Sequence, residues 1–108
     1  MATLNDIAIR AHATARSKGF YDRPQSIPER IALIHSEASE ALEDFRSGKL
    51  TQTIRSDGKP EGLPSELADI VIRVADMCAW LGVDLDAAVE AKMAFNSTRP
   101  HMHGGKAL

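Results

Sequence analysis

Three observations predict an all-α protein, an antiparallel bundle of about four helices. Apolar residues recur at steps of three and four, Gly and Pro fall between these periodic segments, and no segment sustains period-two alternation. At 108 residues the chain suits one domain with one core. We read residues 1–108 as a single helical domain whose C-terminal tail covers about 97–108.

The first helix opens at Thr3, with Asp6 three residues on completing a capping-box pattern. It carries Leu4, Ile7, Ala11 and Ala15 on one face and ends near Gly19. Ser26 with Glu29 repeats the start signal, and Pro28 fits the first turn, where its missing N–H would lack a partner anyway. This second helix runs to about Ser47, with Gly48 as its stop. Its expected core seam is Ile31, Ile34, Ala38, Ala41 and Phe45, and Glu37, Glu40 and Asp44 follow the same rhythm as an adjoining acidic stripe.

Residues 49–62 are expected to be a polar loop with turn chemistry, the longest break in the chain. The third helix starts around Pro64 and turns Leu67, Ile70, Val71, Val74, Met77 and Leu81 inward until Gly82, beside a second charged stripe of Glu66, Asp69, Arg73 and Asp76. Asp84 caps a fourth helix through Ala87, Val89 and Met93 to about Asn96, and Pro100 prevents its continuation.

Two acidic pairs carry the chemistry. Glu37-Ala-Ser-Glu40 and Glu66-Leu-Ala-Asp69 each place two carboxylates three residues apart, on one face of a helix. A lone pair of this kind is usually a solvated surface. Here both pairs abut the apolar seams of the two most apolar helices, where a partner helix must come close. Two like charges about 4 Å apart repel by roughly 4 kcal/mol at the effective dielectric near a protein surface. Four converging carboxylates therefore call for a cation, and hard oxygen donors suit Mg²⁺, with Mn²⁺ able to substitute.

The tail supplies the opposite charge. Lys92, Asn96 and Arg99 fall at i, i+4 and i+7, one stripe suited to gripping phosphate oxygens. His103-Gly-Gly-Lys106 follows, with glycines that let backbone N–H groups approach an anion. No Glu-x-x-His occurs, which argues against a ferritin-like di-iron site. His35, two residues before Glu37, cannot share its face, and Cys78 reads as a small core residue.

Taken in order, Glu37-x-x-Glu40, Glu66-x-x-Asp69 leading to Asp76, Lys92-x-x-x-Asn96-x-x-Arg99-Pro100 and His103-Gly-Gly-Lys106 resemble a small MazG-like nucleoside triphosphate pyrophosphohydrolase, over roughly residues 28–106. The resemblance implies an all-α housecleaning enzyme that hydrolyses (d)NTPs to (d)NMP and pyrophosphate with Mg²⁺. It implies Glu37, Glu40, Glu66 and Asp69 as the catalytic metal ligands, and Lys92, Asn96, Arg99, His103 and Lys106 as substrate-binding residues. It also implies a homodimer or homotetramer, which two short and two longer helices with a thin core would accommodate. One departure stands out, since the family's first motif commonly opens on a pair of acids and Ser36 occupies the first of those positions.

A net charge of −2 gives no broad basic surface, so nucleic acid is not the expected partner. No apolar run approaches the length of a membrane span, and the first residues lack the basic-then-apolar pattern of a secretory signal. The expected compartment is the cytoplasm. The competing reading is a non-catalytic helical oligomeric interaction module, of antitoxin or adaptor type, in which the stripes set register.

Overall fold

The computed structural model describes residues 1–100, so His103 and Lys106 lie outside the described residues. It is mostly helical, with four helices and a two-stranded ribbon: α1 (Leu4–Ser17), α2 (Ile27–Arg46), β1 (Thr53–Ile54), β2 (Pro60–Glu61), α3 (Leu63–Leu81) and α4 (Leu85–Ser97).

Local chemistry sets the helix ends. Thr3 Oγ1 accepts from the Asp6 N–H and the Asp6 carboxylate accepts from the Thr3 N–H, both at 3.0 Å, closing the capping box of α1. Ser26 Oγ caps α2 through the Glu29 N–H, and Asp84 caps α4 through the Ala87 N–H. α3 ends on Gly82 in the left-handed conformation, which a residue without Cβ adopts at no steric cost.

The expected polar loop contains a small hairpin, with Thr53 opposite Glu61 and Ile54 opposite Pro60. Arg55 stiffens it, pairing with Asp57 at 2.7 Å and Glu61 at 3.5 Å. At Gly62 the chain turns with φ 107°, and a Cβ there would stand 2.2 Å from the Thr51 carbonyl oxygen, so only glycine fits. The Leu63 N–H donates to the Lys49 carbonyl at 2.9 Å, tying the hairpin base to the start of α3.

α3 is the central helix, packed against both α1 and α2, while α4 packs on α1. The α2–α3 pair is antiparallel, because Arg30 meets Asp76, Glu37 meets Arg73 and Glu40 meets Glu66, ascending one helix and descending the other. α1 and α4 cap each other at their starts. The Asp86 carboxylate accepts from the Leu4 and Asn5 N–H groups, while the Asn5 side chain accepts from the Leu85 N–H and donates to Asp84.

The buried face of α2 is shifted from the expected seam: Ala41 is buried and Ile34 half-buried as expected, but Ala38 is exposed. Its buried residues are Arg30, Glu37 and Ala41, whereas Ile27, Ile31, Leu42 and Phe45 are exposed, Phe45 by 60%. α3 repeats the pattern with Leu67, Val71, Ile72 and Leu81 outward and Ala75 and Asp76 buried. The buried apolar side chains among the described residues are all alanines: Ala8, Ala15, Ala41 and Ala75. The radius of gyration of 16.3 Å exceeds the roughly 13 Å of a compact domain this size. No helix among the described residues is long and apolar enough to cross a membrane.

Candidate metal centre

The shifted face of α2 buries Glu37 against α3 and leaves Glu40 at its exposed edge. Glu37, Glu40 and Glu66 each offer a carboxylate oxygen, all within 4.8 Å of one another. Glu37 is 9% exposed, and its Oε2 is buried without a hydrogen-bond partner; Glu66 Oε2 is in the same condition. The second oxygen of Glu37, Oε1, accepts from Arg73 Nε at 3.2 Å.

Electrostatics marks the cluster. Burial first, then the charges of Glu40, Asp69 and Asp44, push the Glu66 carboxyl above its ordinary value. With both ionised, Glu66 and Glu40 have no proton to share; a protonated Glu66 donates to Glu40, which raises its pKa further. Asp69 is raised as well, by burial and then by Glu37, against the opposing charges of Arg73 and Lys59.

Three of the four anticipated carboxylates thus come together. The fourth, Asp69, stands beside them on the wall of a cavity of about 560 Å³ shared with Glu37 and Arg73. One turn of α3 separates Asp69 from Glu66, which carries it toward α1 instead of toward Glu40. The α1 wall of the cavity is Ile7, Arg10, Ala11, Thr14 and Ala15, with Phe20 from the following loop.

Lys92, Asn96 and Arg99 are exposed on or just beyond α4, and none of them lines this cavity. The Lys92 ammonium lies 5.7 Å from the Phe95 ring centroid. Within one chain, the anticipated phosphate grip and the carboxylates are separate. Ser36, where an acid was expected, is exposed and returns its hydroxyl to the Leu33 carbonyl at 3.0 Å, so it offers the cluster nothing.

Behind Asp76 on the cavity wall lies a buried polar group, the pairing of Asp76 with His12 and Arg30, that the sequence reading missed. Asp76, 4% exposed, accepts from His12 Nδ1 at 2.9 Å and lies 3.7 Å from Arg30 Nη1, itself 5% exposed. Arg30 also donates to the Phe20 carbonyl at 3.2 Å and to the Gln25 side chain, pinning the α1–α2 loop. Tyr21 stacks on this group, 4.4 Å from the Arg30 guanidinium and edge-on to His12 at 4.7 Å. Burial, then Asp76, push its hydroxyl up to about 12, so it stays protonated.

The donor set is all carboxylate oxygen, with two buried oxygens lacking any donor, and it fits a hard divalent cation. Comparison with protein-family models, curated proteins and solved structures finds no match.

Proposed function

We propose that this chain is a MazG-like nucleoside triphosphate pyrophosphohydrolase, which splits (d)NTPs into (d)NMP and pyrophosphate using Mg²⁺, with Mn²⁺ able to substitute. The observation that carries the reading is Glu37: a buried residue with one carboxylate oxygen that has no hydrogen-bond partner, within 4.8 Å of two further carboxylates. A buried carboxylate oxygen without a donor is costly, and because Glu37 lines the cavity a bound cation is its natural partner.

Glu37, Glu40 and Glu66 would hold the ion, with Asp69 beside them. A divalent cation there would supply charge neutralisation for a phosphate and activation of water. The cavity, at about 560 Å³, lies within the range of small-molecule sites and has room for the rest of a nucleotide. Lys92, Asn96 and Arg99 serve as the phosphate grip in this reading, which requires a second copy, because α4 of the same chain carries none of them to the cavity. A homodimer or homotetramer is supported by the outward apolar seams of α2 and α3. A net charge of −2 favours small nucleotides over nucleic acid, and the cytoplasm is the compartment we assign.

The outward seams equally favour an interaction module of antitoxin or adaptor type. That alternative gives no use to a carboxylate trio in which Glu37 is buried. The deciding experiment is a panel of the common NTPs and dNTPs with Mg²⁺ or Mn²⁺, with products separated by chromatography. Monophosphate and pyrophosphate are expected. Diphosphate and inorganic phosphate as first products would overturn the pyrophosphohydrolase reading, and turnover of no nucleotide would leave the interaction module.

A further inference from the structure

Arg73 stands where the carboxylate cluster meets the cavity. Its Nε–H donates to Glu37 Oε1 at 3.2 Å, in a pair whose side chains are 29% and 11% exposed. Its other guanidinium N–H groups have no side-chain or carbonyl acceptor among the described residues. The side chain nevertheless lies on the cavity wall. One edge of the guanidinium therefore serves a cation-binding carboxylate, and the rest is free for a ligand.

The surrounding charges sharpen this division. Asp76 on the same wall is matched by His12 and Arg30, and Arg10, facing from α1, has no ion pair among the described residues. Glu37 cannot serve Arg73 and a dication equally well, because the guanidinium and the ion repel each other across one carboxylate. Because Arg73 lines the cavity, a guanidinium displaced from Glu37 can offer its planar fork to phosphate oxygens there.

On the metal-dependent reading above, we propose that Arg73 is an anion-binding residue of this site whose availability is set by the cation. Its donor serves Glu37, and transfers to a phosphate group of the ligand when Glu37 serves the ion. Cation and phosphate then bind with positive coupling, and Arg73 is the element that couples them.

Calorimetric titration of wild type, Arg73→Gln and Arg73→Lys tests this with two probes: Mn²⁺ alone, and inorganic tripolyphosphate at saturating Mn²⁺. Arg73→Gln is expected to bind Mn²⁺ as tightly as wild type or tighter, and tripolyphosphate about tenfold or more weakly, the effect of removing a charge-assisted hydrogen bond. Arg73→Lys keeps a cation and falls between, which separates lost charge from a lost fold. Arg46→Gln, removing a surface pair with Glu43, leaves both affinities unchanged. If Arg73→Gln weakens Mn²⁺ and leaves tripolyphosphate untouched, Arg73 merely orients Glu37 and the proposal is overturned. A wild type that binds no Mn²⁺ overturns it together with the metal reading. A wild type that binds both probes but hydrolyses no nucleotide overturns the hydrolase reading alone, and a fall in tripolyphosphate affinity for Arg73→Gln still supports the coupling.

Discussion

Arg30 Nη1 faces Asp76 Oδ2 across 3.7 Å between α2 and α3, both side chains at least 94% buried. Such a pair is weak evidence for net stability, since desolvation offsets most of its attraction, yet breaking it leaves one charge stranded. Arg30→Ala is therefore expected to cost about 3–5 kcal/mol, read as a shift of the urea midpoint at unchanged slope. Arg46→Ala is the control: its pair with Glu43 is exposed on the surface, so removing it should leave the midpoint nearly unchanged.

The carboxylate trio predicts metal-dependent stability. At a hundred times its dissociation constant, Mn²⁺ or Mg²⁺ should add about 2.7 kcal/mol, a rise in Tm on the order of 10 °C. Glu37→Gln or Glu66→Gln should lose most of that rise. Glu43→Gln, exposed on α2, should keep it. Equal melting temperatures in EDTA and in millimolar Mn²⁺ would falsify the metal centre.

The raised carboxyl of Glu66 gives the pH dependence a sign. A carboxyl whose folded pKa lies above its unfolded value favours the fold most below the unfolded value, and that benefit is lost as pH rises through the folded one. In EDTA at pH 7, Glu66→Gln should melt above wild type, because it removes the burial cost of a charged carboxylate and then the repulsion from Glu40, Asp69 and Asp44. The difference should close as the pH falls through the folded pKa toward 4.5, the ordinary value for this group. A difference that stays constant over that range would exclude charge repulsion as its cause.

The reciprocal caps joining α1 and α4 predict a separation of effects. Asn5→Ala removes the acceptor for the Leu85 N–H and the donor to Asp84, so α4 loosens at a cost of about 1 kcal/mol. Since α4 carries Lys92 and Asn96 and leads into Arg99, kcat/KM should fall while the Mn²⁺-induced rise in Tm stays. Lys92→Ala and Arg99→Ala should give the same split. Full kcat/KM in all three variants would remove α4 from the site.

The outward seams predict association. Light scattering of the wild type should give two or four times the chain mass. Ile31→Glu with Phe45→Glu places two charges on the exposed apolar stripe of α2 and should give the single-chain mass. A wild type of single-chain mass at all concentrations would rule out the assembly.

The legible parts of this fold were those set by neighbours in sequence. Thr3 with Asp6, Ser26, Asp84 and Gly82 each act within a turn, so caps and ends could be read directly. The face of α2 could not. Its acidic and apolar stripes lie one position apart, and packing against α3 decides which of Glu37 and Ala38 turns inward. The hairpin was obscured by its size, two residues a strand with Pro60 in one of them. Of the cluster, Glu37 with Glu40 was legible from spacing because helix geometry converts i, i+3 into adjacency, whereas Glu66 reaches them, without Asp69, only through the packing of α3 on α2. His12, Arg30 and Asp76 meet only through the tertiary fold, and no local pattern pairs them.

If copies of the chain associate as proposed, the apolar stripe turned outward on α2 and α3 would tie the lifetime of the fold to the number of copies in solution. Under the proposed assembly, dilution acts as a denaturant, because mass action removes the partner that covers Ile31, Phe45 and Val71. Specific activity would then decline in dilute stocks and return on concentration, and an inert carrier protein would not substitute for more of the same chain.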